Sequence, residues 1–478
     1  MYPNWILQRA YLTPNRVGLT FEGKQWTFEE IKEISVQRAG QLAALGIDRG
    51  SRVAILGEND ADTIFVMYAC MHLQCEMVIL NRKLTKSELA YQIEDAQVTT
   101  VLVHDQDMPL LPENVDFRLF SEIENSDWHS IEIRKEWQAE QTISIMYTSG
   151  TTGFPKGVRQ TVENHQSNAL SSVLNIGLSE KDVWLCAVPL FHISGFSILV
   201  RSLLYGNEVK LYRKFDSELI AQDIISGRVT HISLVAVMLE RILHVLEERE
   251  AKASPAFKLV LAGGGSFPID YLKRAGERGM KVLQTYGMTE TSSQTATLPA
   301  EDAFRKIGSA GKPLFFNQIK ILGAKEPFEE GEICIRGPHV TPGYIGRFEN
   351  NPSTEDGWLH TGDIGYLDDE GYLYVVDRRS DLIISGGENI YPAEVENVLM
   401  GHPAIKEAGV CGMEDDTWGQ VPVAFVVLKK DAAIEEILEY CKGHLAKYKV
   451  PKNVYVVDAL PRNASNKLMR RKLKELLS

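Results

Sequence analysis

Short apolar runs alternate with amphipathic helical stretches along the N-terminal part of the chain, and this rhythm leaves few folds open. Arg52–Leu56 (R-V-A-I-L), Met77–Leu80 and Thr99–Val103 read as buried strands with helical patterns between them. The rhythm returns at Trp184–Val188, Val209–Tyr212, His231–Val235, Lys258–Ala262 and Lys281–Tyr286. Strands that alternate with helices pair in parallel, and the helices cover both faces of the sheet. The expected class is therefore α/β, built on parallel-rich sheets wrapped by helices. Ligands of such folds bind beyond the carboxyl ends of the strands. Thr27-Phe28-Glu29-Glu30 is a capping box and opens a helix that ends near Gly46.

A single core stops growing well short of 478 residues, so more than one domain is expected. The pattern changes after about Gly308. Gly331–Arg336 and Gly371–Val376 read as antiparallel strands of a β-rich subdomain. The charged run Asp377-Arg378-Arg379-Ser380-Asp381 reads as a linker. Beyond it lies a small α+β unit that ends in a basic tail helix, Lys467–Lys474.

The net charge of −13 disfavours a nucleic-acid partner, which would require basic patches. It leaves room for a small anionic substrate, because a local site can be positive on an acidic protein. The first residues lack the layout of a signal peptide, and no apolar run is long enough to span a bilayer. No C-x-x-C pair occurs among the six cysteines. They read as reduced, mostly buried thiols, and the expected compartment is the cytoplasm, with no membrane insertion.

The sharpest local feature is a glycine-rich loop after a buried strand, Thr148-Ser149-Gly150-Thr151-Thr152-Gly153, followed by Phe154-Pro155-Lys156-Gly157. Glycines let the backbone turn and expose successive N–H groups, which form an anion-binding concavity. Four hydroxyls and Lys156 add donors and positive charge, which is what a polyphosphate requires. The P-loop signature is not met, because Gly157 follows Lys156 where Ser or Thr is needed. A plain surface loop is the alternative.

This segment resembles the phosphate loop of the acyl-adenylate-forming, or AMP-binding, superfamily. Further motifs follow in that family's order: Tyr286-Gly287-Met288-Thr289-Glu290, Thr361-Gly362-Asp363, Asp377–Asp381, and Pro461–Lys467. The resemblance implies a large N-terminal domain (1–377), a hinge (378–381) with Ser380 at its pivot, and a small mobile α+β lid (382–478). It implies that Tyr286 stacks on adenine, that Gly264 lets the backbone approach the adenine side, and that Asp363 and Arg378 hold the ribose. Thr289 would bind the α-phosphate, and Glu290 would be the magnesium carboxylate. Taken alone, Tyr286 would read as a core tyrosine, Glu290 as a helix-start acid and Asp363 as a turn residue. Lys467 would stabilise charge on the pentavalent transition state of adenylation. Asn466 stands where the family usually has glycine, a mild departure, since Asn tolerates positive φ. Ser385-Gly386-Gly387 would face coenzyme A.

Pro189–Gly195 matches the family's acyl-side motif, with His192 near the carboxylate. The finer resemblance is to the 2-succinylbenzoate–CoA ligases of menaquinone synthesis, carried by Val158–Thr161 with Asn164-His165, Phe191–Gly195, Ser309–Leu314, Asp377–Glu396 and Leu460–Lys467. It implies ATP and CoA as co-substrates with Mg2+, and an aromatic dicarboxylic acid as substrate. One carboxylate is activated, and the other stays charged and needs donors or a cation. Ser194 and Arg201 are the candidates, although an arginine on a helix more often faces solvent. The alternatives are a ligase for an aryl, fatty or short-chain acid, or an inactive nucleotide-binding protein. The oligomeric state, homo-oligomer included, is not written in the sequence.

Overall fold

The computed structural model describes residues 1–148, 154–264, 267, 269–377, 382–461 and 468–477. Of the motif residues named above, Ser149, Gly150, Thr151, Thr152, Gly153, Arg378, Ser380 and Lys467 lie outside the described residues.

The predicted strands form, most of them displaced by a residue or two. Arg52–Leu56, Glu76–Ile79 and Thr100–Val103 pair in parallel at the centre of a seven-stranded sheet. Thr142–Thr148 joins beside Glu76–Ile79, and Lys156–Thr161 returns antiparallel to it. Thr148, the last described residue before the glycine-rich run, thus lies at the carboxyl end of a buried strand, where ligands of open sheets bind. Thr27 and Glu30 cap each other's backbone at the start of Phe28–Ala44, as the sequence predicts.

The second sheet has fourteen strands. Its parallel half runs through Glu208–Leu211, Val183–Cys186, His231–Leu234, Leu259–Ala262 and Val282–Met288. Its antiparallel half begins earlier than the sequence suggests, at Ser293–Leu298 rather than after Gly308. The cause is the short turn Thr289–Thr291, which folds the chain straight back on Val282–Met288. The β-rich part is thus continuous with the parallel part. Register shifts fall at Tyr286/Gly287, Ser309/Gly311 and Ile364/Gly365. Bulges of this kind bend a sheet locally and increase its twist.

A five-stranded sheet gathers Ile383–Ser385, Glu388–Ile390, Ile405–Asp415, Gly419–Leu428 and Asn453–Val456. The basic tail is not the helix that its charge pattern predicts. It forms short 3-10 turns at Arg470–Lys472 and Lys474–Leu477. Leu468 and Leu473 both pack against Cys411, Val423 and Phe425. Residues five apart lie on different faces of an α-helix, so one helix could not dock both. All six cysteines are buried and unbonded to each other. Among the described residues no helix is long and apolar enough to cross a membrane.

Candidate active site

A cavity of about 280 Å³ opens where the two large sheets and the five-stranded sheet meet. Its walls hold most of the described residues that the motifs single out.

On one side the strand Val282–Met288 ends in Tyr286, which is 1% exposed. Its hydroxyl donates to Asp363 Oδ2 over 2.7 Å. Asp363 is set in turn by Thr361, whose hydroxyl accepts from the Asp363 N–H at 3.0 Å and donates to the Ile333 carbonyl at 2.7 Å. Gly263 and Gly264 line the same wall. Gly264 has φ +84°, and a side chain there would press on Val235 at 3.1 Å. The turn after Met288 presents Thr289 and Glu290 to the cavity. Its backbone is held by Gln160, which donates to the Thr289 carbonyl at 3.0 Å, and by the Thr341 N–H, which donates to the Glu290 carbonyl at 2.8 Å.

Thr148 lines the cavity, whereas Lys156 is not among the lining residues. The Lys156 ammonium lies over the rings of Tyr344 and Phe348, 5.1 and 5.2 Å from their centroids.

The acyl side is formed by Val188, Phe191, His192, Ser194 and Arg201. Arg201 is not the solvent-facing helix residue that base composition favours. Its helix, Ile193–Tyr205, is apolar on nearly every face, and Arg201 is 1% exposed. Its guanidinium sits 5.3 Å from the Trp184 ring centroid and donates to Asn168 Oδ1 at 3.3 Å. It also reaches Ser293 Oγ at 3.4 Å, and Nε has no hydrogen-bond partner among the described residues. Burial pushes its pKa down, with Tyr205 acting in the opposite sense. A buried cation without a carboxylate partner is costly, and the wall it lines has the chemistry to accommodate an anion. Gln294 stands beside it in the wall, 3% exposed, and both polar atoms of its side chain lack partners. No motif marks Gln294, and the polar run Ser292-Ser293-Gln294 inside an otherwise buried strand is the only hint.

The fourth wall comes from the lid. Ile383–Ser385 and Glu388–Ile390 are joined by Gly386 and Gly387, with φ +57° and +86°. Two successive positive φ values suit the tight hairpin turn that follows the strand twist. Gly387 and Glu388 line the cavity. Ser385 and Gly386 do not: they lie against Gly419 and Trp418. Glu388 accepts from Lys83 at 2.7 Å and pairs with His192 at 3.0 Å. Lys449 donates to Glu394 within the lid and to Glu88 across the interface, both at 2.7 Å. Neither Lys83 nor Lys449 belongs to a motif, and no local pattern singles them out.

For a hard cation the fitting donors are the oxygens of Glu290, Thr289 and Thr148, which share one cavity. Two other groups bring ligand atoms within 4.8 Å of one another: Glu332, Cys334 and His360, and Glu58, Asp60 and His104. In the second, Arg82 and Arg213 already neutralise the acids.

Residues 6–345 match the AMP-binding enzyme family, and residues 394–467 match the AMP-binding enzyme C-terminal domain. The chain is 47% identical to the 2-succinylbenzoate–CoA ligase of Listeria monocytogenes, over 99% of each chain. Among solved structures it is similar to a double mutant of the Bacillus subtilis o-succinylbenzoate CoA synthetase bound with its product analogue OSB-NCoA. The TM-score is 0.94 at 47% identity, covering 99% of this chain and 98% of that one. Against the same synthetase in complex with ATP and magnesium ion the TM-score is 0.76 at 46% identity, covering 99% of both chains. With the family match extending over most of its length, this chain belongs to the AMP-binding enzymes.

Proposed function

We propose that this protein is an ATP-dependent acid–CoA ligase that converts 2-succinylbenzoate, ATP and CoA to 2-succinylbenzoyl-CoA, AMP and diphosphate, a step of menaquinone biosynthesis. The observation that carries the choice of acid is Arg201, a buried guanidinium at the acyl end of the cavity with no carboxylate of the described residues beside it. A dicarboxylic substrate leaves one charged group after activation, and a guanidinium meets a carboxylate in a matched planar fork.

In the first half-reaction the substrate carboxylate attacks the α-phosphorus of ATP and diphosphate leaves. Tyr286 and Gly264 form the adenine wall, and Asp363 accepts from the ribose hydroxyls. Glu290 and Thr289 would hold magnesium, which supplies charge neutralisation to the phosphates when bound. Lys467 is assigned to the same charge. In the second half-reaction the CoA thiol attacks the acyl carbon and AMP leaves. The lid arrangement favours this stage: Gly387 and Glu388 stand in the cavity wall, and the likeness is higher to the product-analogue complex.

The test is a coupled assay of AMP release with ATP, magnesium, CoA and a panel of 2-succinylbenzoate, benzoate and octanoate. Strong CoA-dependent turnover with 2-succinylbenzoate alone is the expected result. Preference for another acid would retain the ligase chemistry and reject this substrate.

A further inference from the structure

We propose that Glu332, Cys334 and His360 form a zinc-binding site on the reverse side of the strand that carries Asp363. The site is separate from the cavity, which Thr361 and Asp363 line and the three proposed ligands do not.

The sheet register brings the ligands together. Cys334 and His360 are directly opposed in the antiparallel pair Gly331–Arg336 and Trp358–Leu367. Opposed side chains on one face of a sheet touch. Glu332 precedes Cys334 by two residues, the spacing that puts side chains on one face of a strand. A register shift between the two lets Glu332 serve both neighbours: Oε2 lies 3.0 Å from His360 Nδ1, and Oε1 accepts from the Gly362 N–H at 2.8 Å. Cys334 Sγ lies 3.8 Å from the same Nδ1. All three ligand atoms fall within 4.8 Å of one another.

A tetrahedral zinc, with bonds of about 2.0–2.3 Å, holds its ligand atoms about 3.3–3.8 Å apart. The two edges that meet at Nδ1 are already within a few tenths of an ångström of that range. The third closes when the partly exposed Glu332 side chain swings in by roughly 1 Å. The side chains of His360 and Glu332 are 28% and 25% exposed, so the ion enters past them and a water completes the tetrahedron.

The donor set selects the metal. Thiolate and imidazole suit zinc, whereas magnesium takes oxygen donors such as Glu290 and Thr289. On coordination the thiol proton leaves to solvent, and thiolate and carboxylate together balance the charge of the ion. The surrounding charges agree. Among the described residues no lysine or arginine pairs with Glu332 or Glu355, unlike Glu58 in the other cluster. Glu355 Oε2 stands 3.9 Å from His360 Nε2, where an outer carboxylate orients a metal-bound imidazole. Lys320, opposite Cys334 in the next strand, is drawn over the Trp358 ring, 4.4 Å from its centroid. Zinc held here ties two strands together behind the Thr361–Asp363 turn, with one Glu332 oxygen on the ion and the other on Gly362.

The experiment is a metal titration of the full-length protein, freed of metal and kept reduced with a phosphine, with magnesium in excess to occupy oxygen sites. Cobalt(II) is the optical probe and zinc its competitor. Wild type is expected to take up one cobalt with a thiolate-to-metal charge-transfer band, and one equivalent of zinc should abolish the band. Cys334→Ala should lose the band, and both it and His360→Gln should bind zinc at least about 10²-fold more weakly. Zinc should raise the Tm of wild type and leave that of either variant in place. Melting without metal shows whether each variant folds, and the surface position of His360 keeps the test open if Cys334→Ala does not. Cobalt bound without a thiolate band, or zinc held equally well by the folded variants, would reduce the cluster to a histidine–glutamate hydrogen bond beside a buried thiol and overturn the site.

Discussion

Tyr286 and Asp363 meet through a 2.7 Å hydrogen bond although four ladder steps of the fourteen-stranded sheet separate their strands. The tyrosine thus holds the carboxylate that we propose binds ribose. Asp363→Ala should raise the KM for ATP by about 10²-fold, the scale of losing charged hydrogen bonds to two hydroxyls. Tyr286→Phe keeps the ring and loses only the tether, so it should cost closer to tenfold, about 1 kcal/mol. Initial-rate kinetics at varied ATP decide the matter. An unchanged KM in Asp363→Ala would remove it from the nucleotide site.

Arg201→Met should lower kcat/KM for 2-succinylbenzoate by at least about 10²-fold, while a monocarboxylic analogue lacking the second acid loses far less. The same variant should melt no lower than wild type, because it replaces a buried unpaired cation with an apolar side chain. Kinetics on the two acids and a melting curve test both halves. Equal loss on both acids would show that Arg201 supports the pocket without reading charge.

Gly387→Val combines a side chain at φ +86° with a contact to Val235 at 3.2 Å. It should slow thioester formation more than tenfold further than it slows adenylate formation, because the turn meets the pocket in this lid arrangement. Separate rates for diphosphate release and thioester formation give the ratio. Similar losses in both steps would count against a thiol route beside this turn.

His72, His165 and His339 are buried, and burial lowers the pKa of each to about 3. In the unfolded chain the same rings titrate near 6.5. The unfolded state therefore binds more protons below that value, and stability is present above it and lost as pH falls toward 3. Each ring contributes a slope of about 1.4 kcal/mol per pH unit in this window. Thermal unfolding between pH 7 and 5 should show Tm falling steadily, before the carboxylates titrate. A flat Tm across that interval would mean that the rings gain protons within the fold.

Much of this could be read from the residues. Buried strands such as Val101–Val103 and Leu259–Ala262 are continuous apolar runs, and the capping box at Thr27 names its own helix. The nucleotide wall follows from contiguous motifs. What could not be read depends on pairings across the chain. Lys83 and Glu388 lie 305 residues apart, and no local pattern links them. Arg201 carried a usable sign, since an arginine within an otherwise apolar helix has nowhere to face but inward. The hairpin at Thr289–Thr291 was hidden because a hydroxyl-rich motif there reads as chemistry rather than as a turn.

Trp358–Leu367, Leu373–Asp377, Ser309–Pro313, Ser293–Leu298 and Val282–Met288 are successive neighbours in one sheet, with register shifts at three points. This path acts as a ruler between Asp363 and Tyr286, graduated in residues. A single insertion within any of these strands would slip its partner by about 3.3 Å and turn its side chains to the other face. Insertions are therefore expected to be tolerated in the loops between these strands far better than within them.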